Sequence, residues 1–138
     1  MNIERLERLL HILRTVDEKH FNMGFWADYD SPDCLTASCA MGHACMDPVF
    51  QQQGLRLDLV YRAVEPFYHG EHGYLAAALF FGLDLPDAKR LFGTHKYIKR
   101  ELLEYPSQIK PKHVIAAIEE FMREKLTNQL KKKGEDSC

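Results

Sequence analysis

Three of the four cysteines, a histidine and several of the smallest side chains are gathered between Asp33 and Met46, in the run DCLTASCAMGHACM. Thr36 is placed to cap a helix from Ala37 to Met46, its hydroxyl accepting from a first-turn amide while Asp33 adds negative charge near that end. On such a helix Cys39 and His43 lie one turn apart on one face. A base at that spacing could take the thiol proton and leave a nucleophilic or redox-active thiolate. Cys34, Cys39, His43 and Cys45 also have the side-chain types that hold zinc. Cys45, however, sits about 200° around a helix from His43, at about 100° per residue. The set that could converge is therefore Cys34, Cys39 and His43, with His69 or His72 as fourth ligand. The plainer reading is a tightly packed central helix. Ala37, Ala40, Gly42 and Ala44 let another backbone approach, and a buried free cysteine behaves as a small hydrophobe. That reading predicts no metal and no cofactor.

A second constellation precedes it. Phe25, Trp26 and Tyr29 concentrate aromatic surface in a segment of turn residues, and Asp28, Asp30 and Asp33 surround it with acid. Aromatic side chains give large contact areas at low entropic cost, so this stretch is the candidate binding surface, with Phe21 and Trp26 also able to wedge neighbouring helices. A calcium loop is excluded, because the glycine and closing glutamate of D-x-[DN]-x-[DN]-G-x5-E are missing.

Phe21, Asn22, Met23 and Trp26, followed by Cys34, Thr36, Cys39, Gly42 and Ala44, resemble the F-[ND]-M-x-x-W and C-G-T-x-x-C-x-x-G-x-A signatures of a group of small uncharacterised bacterial and phage proteins. Gly82, Leu83, Ala88, Leu91 and Phe92 are similar to a later segment of that group, in which a leucine-glycine-leucine turn is followed by a short helix ending in Leu-Phe. Leu35 departs from the pattern, standing where the group usually has glycine. The resemblance implies a mainly helical fold and a phage or prophage origin. It carries no activity.

The 138 residues suit one domain, 46% hydrophobic and 28% charged, and the formal charge of -2 gives no global attraction for polyanions. MNIERLERLL spaces charges at helical intervals, unlike a secretion signal, and the longest apolar run, Tyr74 to Phe81, is too short to span a bilayer. Free thiols in the cytoplasm of a bacterial host are the expectation, with no membrane partner.

Ile3, Leu6, Leu9, Leu10, Leu13 and Val16 recur at helical spacing, with Glu4 and Arg8 able to pair outside. Asp47-Pro48 opens a short helix that stops at Gly54. Leu55, Leu57, Leu59 and Tyr61 alternate with polar residues, and Val64 to Tyr68 is the candidate hairpin partner, confined to an edge by Pro66. HGEHG, from His69 to Gly73, reads as a turn. Tyr74 to Phe81 is apolar on all sides, a buried helix ended by Gly82. Asp84 caps the next helix, and Lys89 and Arg90, extended by Lys96, Lys99 and Arg100, make the 84–100 helices the best case for nucleic acid, although a phosphate-binding face needs a denser cluster. Pro111 opens a last helix with Val114, Ile115, Ile118, Phe121, Met122 and Leu126 on its apolar face and Glu119 and Arg123 able to pair outside. Residues 131–138 read as a charged, flexible tail on a domain of residues 1–130.

Together these elements predict a compact all-α domain of about six helices with a minor β-hairpin near 55–68. With no phosphate loop or paired catalytic groups, the leading functional expectation is a non-catalytic protein binding a host protein, possibly defence-related, through Phe25 to Asp33. An enzyme or small-ligand sensor using Cys39 and His43 is the alternative, and a nucleic-acid-binding regulator the third. The apolar stripes of the first and last helices predict a homodimer.

Overall fold

The computed structural model describes residues 1–26, 28–31, 34–60 and 63–136, with the backbone alone at 28–31, 34–36, 63 and 132–136. Helix α1 runs from Ile3 to Thr15, with the Asn2 side chain accepting from the Arg5 amide at 3.0 Å to close its N-terminus. A short 3₁₀ turn, Glu18–His20, leads to strands β1 (Asp28–Ser31) and β2 (Cys34–Ala37), then to α2 (Ala40–Met46) and α3 (Pro48–Gln52). Strands β3 (Arg56–Val60), β4 (Ala63–Tyr68) and β5 (Glu71–His72) follow, then α4 (Gly73–Phe81), α5 (Leu85–Phe92) and α6 (His95–Glu101). A second 3₁₀ turn, Pro106–Gln108, precedes α7 (Pro111–Asp136). The fold is mainly helical with a small antiparallel sheet, as the sequence predicts.

The core is built where the apolar stripes meet. Leu6, Leu9, Leu10 and Leu13 of α1 are buried, as are Val114, Ile118 and Phe121 of α7, and the two helices pack together. Phe50, Phe80, Phe81 and Phe92 form a continuous aromatic series, with centroid separations of 4.8, 5.0 and 5.5 Å and mostly edge-on geometry. Apolar on all sides, α4 is buried along most of its length, and Gly82 ends it in the left-handed conformation at φ 66°. Asp84 caps α5 by accepting from the Asp87 amide at 2.8 Å.

In the three-stranded sheet Arg56 pairs with Phe67 and Leu57 with Pro66, while β5 pairs with β4 only at Phe67 and Tyr68. Pro66 therefore needs no amide on its second side, and β4 is central for two residues and an edge at its proline.

Several local expectations are corrected. Residues 28–31 form a strand rather than loop, paired antiparallel with β2. The cysteine helix begins at Ala40, not Ala37, because residues 37–39 are held extended by an earlier segment. The Ser38 amide donates to the His20 carbonyl, the Asn22 amide to the Ser38 carbonyl, and the Cys39 amide to the Phe25 carbonyl, at 3.1, 3.0 and 2.9 Å. Thr36 consequently lies in β2, and Cys39 takes the capping position. Arg8 does not turn to Glu4; it grips Asp47 with two bonds, at 2.6 and 2.8 Å, because the carboxylate is fixed there as the cap of α3. Glu119 likewise meets Arg14 across the helix pair at 3.6 Å instead of Arg123. As backbone helix, α7 extends through the lysine run to Asp136.

Candidate functional site

Cys39 and His43 do not form a reacting pair. Cys39 caps α2, its sulfur accepting from the Gly42 amide at 3.4 Å and lying 3.9 Å from the Trp26 carbonyl. It is 2% exposed, and burial pushes its thiol up to about 11, opposite to the direction an attacking thiolate needs. His43 turns elsewhere, with Nε2 2.8 Å from the His20 carbonyl and its ring stacked on Phe21 at 6.1 Å. Burial lowers the His43 pKa, which favours the neutral imidazole that donates this bond. Cys45 is buried too, and burial raises its pKa strongly. Gly42 explains the scarcity of bulk in α2. A β-carbon there would lie 1.9 Å from the Trp26 carbonyl oxygen and 2.6 Å from the Ser38 β-carbon, so the 22–26 segment rests directly on the helix.

The metal alternative is not assembled by the described residues, among which no cluster of three His, Cys, Asp or Glu side chains could hold an ion. The Cys34 side chain lies outside them. His69 occupies a left-handed turn at φ 48° with its ring against Tyr68, while His72 Nε2 meets Asp58 at 3.1 Å.

Of the predicted binding residues, Asp33 lies outside the described residues, as do the side chains of Asp28, Tyr29 and Asp30, whose backbone forms part of β1. Phe25 is 49% exposed. Trp26 is partly buried, its ring edge-on to Tyr74 of α4 at 5.0 Å. These two aromatics help form a pocket of about 270 Å³ that also takes in Met23, Phe92, Thr94 and Pro106.

Pro106 belongs to a segment that sequence reasoning missed. Gly24 brings the two stretches together, since a β-carbon built on it would lie 3.5 Å from the Pro106 β-carbon. The turn is held by Gln108, whose Oε1 accepts from the Glu104 and Tyr105 amides at 2.7 and 3.1 Å. Tyr105, which caps the turn, is 61% exposed, and Leu102, at the end of α6, is 89% exposed. Leu102 ends α6 in the left-handed conformation, at φ 55° and ψ 44°, where glycine is favoured and a leucine costs about 1 kcal/mol. The sequence held one signal, the pairing of apolar Leu102 and Leu103 with Tyr105-Pro106 in a stretch that cannot continue a helix.

The basic residues of α5 and α6 are partly neutralised. Arg90 makes two bonds to Glu124, at 3.0 and 3.2 Å, and Arg100 one to Glu120, at 2.7 Å.

No helix among the described residues is long and apolar enough to cross a membrane. No family model matches the chain, and neither a curated protein nor a solved structure is significantly similar to it.

Proposed function

We propose that this protein is a non-catalytic binding module of phage or prophage origin that acts in a bacterial cytoplasm by docking onto a host protein. The reading rests on one observation: Phe25 and Tyr105, the chain neighbours of the pocket residues Trp26 and Pro106, stand exposed, and Leu102 is exposed at the end of α6. Exposed large apolar side chains near a small recess are a feature of binding hot spots, in which a partner side chain fills the recess and the rim excludes water. Leu102 adds weight, because both its backbone conformation and its exposure lower the stability of the free protein. A partner that covers Leu102 offsets its exposure. The phage origin rests only on the resemblance of the 21–44 and 82–92 segments, and the acidic residues within 28–33 would add charge selectivity.

The test is capture of host proteins on the full chain and on the double variant Leu102→Gly, Tyr105→Ala. The variant should melt no lower than the parent, since glycine relieves the left-handed residue, yet lose the protein partner that the parent recovers. Identical recovery by both, or recovery of nucleic acid with no reproducible protein, overturns the reading.

A further inference from the structure

A groove of about 580 Å³ runs between α6, α5 and α7. Its volume falls in the range of about 300–1,000 Å³ typical of small-molecule sites. The floor is apolar, made by Ala117 and by Tyr97, whose hydroxyl is already engaged with the Leu91 carbonyl at 2.8 Å. The walls are cationic. Lys96 and Lys99 line the groove and are exposed, and neither has a carboxylate within ion-pair distance among the described residues. Arg90 and Arg100 line it as well, each anchored by a glutamate of α7, so their guanidinium planes are fixed in advance.

This arrangement costs the free protein something. Lys96 and Arg100 are like charges four residues apart on a seven-residue helix, a spacing that destabilises it. Lys96 also stands in the first turn, where the helix dipole disfavours a cation. Both penalties disappear when an anion occupies the groove. The number of charges selects among anions. Two unpaired lysines beside two half-neutralised arginines suit two or three negative charges, whereas a nucleic-acid face with strong salt dependence engages about 6–10 phosphates.

We propose that this groove binds a small phosphorylated ligand of nucleotide size, its phosphates on Lys96 and Lys99 and its uncharged part toward Ala117, the small exposed edge of Tyr97 and the aliphatic stems of the lining cations. The proposal does not depend on the assignment of the protein partner's surface.

Calorimetric titration of the full chain at low ionic strength, with ADP and with inorganic tripolyphosphate, tests it. ADP should bind saturably with one site per chain. The double variant Lys96→Ala, Lys99→Ala should weaken binding by about tenfold or more, the scale of losing two charge-assisted contacts. Lys112→Ala, an exposed lysine away from the groove, should leave binding unchanged. Glu120→Gln should tighten binding, because removing a negative charge beside the groove outweighs the loss of the Arg100 anchor, a gain that a merely structural role for the groove would not produce. Absence of saturation, or equal affinity in the double variant, overturns the site. Equal binding of tripolyphosphate and ADP removes the apolar floor from it. Affinity for single-stranded oligonucleotides that rises with their length replaces the proposal with an extended nucleic-acid face.

Discussion

Gly42 is where a single methyl group is expected to do most harm. Alanine in a helix interior is ordinarily favoured over glycine by about 1 kcal/mol. Here its β-carbon would meet the Trp26 carbonyl oxygen at 1.9 Å, and backbone cannot swing aside as a side chain can. Overpacking of this kind costs about 1–3 kcal/mol or more, so Gly42→Ala should lower the denaturation midpoint despite its better propensity. His43 sets a pH dependence at the same scale. Its folded pKa lies below the ordinary 6.5, with burial as the largest cause, so the unfolded chain takes up the proton first as pH falls. The stability it contributes is complete above pH 6.5 and is lost as pH falls through the folded pKa. A melting temperature that declines between neutrality and mildly acidic pH, and declines less in His43→Gln, is the expected record. A profile identical in both would show that His43 has no part in it.

At the scale of elements, Asp47 joins three helices. Its amide closes α2 on the Ala44 carbonyl, its carboxylate caps α3 by accepting from the Phe50 amide at 3.1 Å, and Arg8 of α1 binds both its oxygens. The Arg8 bonds hold the carboxyl below its usual pKa range. Asp47→Ala should cost about 2 kcal/mol, a cap and a charged hydrogen bond together, and Asp47→Asn less, because the amide oxygen still caps. Equal losses in urea melts would assign the whole effect to the ion pair.

What was legible at this scale depended on how local the signal was. Asp47-Pro48, Asp84-Leu85-Pro86, Gly82 and Pro111 each announce a helix boundary within a few residues, and each boundary lies where those residues place it. The start of α2 was misread because its competitor is remote: Ser38 and Cys39 give their backbone groups to residues 20–25, and no periodicity within 37–46 reveals that. The aromatic segment was recognised as a packing element, but its neighbour at 102–108 was not. A left-handed leucine carries no sequence mark of the kind glycine or asparagine would.

For the whole molecule, the two stripes that suggested a homodimer bury one another within a single chain. Neither is spare along its length. What remains is the outer part of α7, where Leu126 is 40% exposed and Leu130 is 70% exposed one turn apart on a helix about 39 Å long. Self-association is therefore expected to run through these two leucines. Light scattering should give a mass rising above 16.0 kDa with concentration, and Leu126→Lys with Leu130→Lys should return it to the monomer without lowering the melting temperature. A monomer at every concentration would remove the dimer.

The meeting of α1 with α7 also has a consequence for synthesis. The 101 positions from Leu13 to Val114 take roughly 5–20 s to translate at about 5–20 residues per second. Throughout that interval the four buried leucines of α1 have been made while the helix that covers them has not. α2 and α4, which also touch α1, emerge earlier and can shelter one side of it. The other side waits for Ile118 and Phe121, so a ribosome stalled before residue 114 holds a chain with an open, adhesive flank, a substrate for chaperones rather than a nearly finished protein.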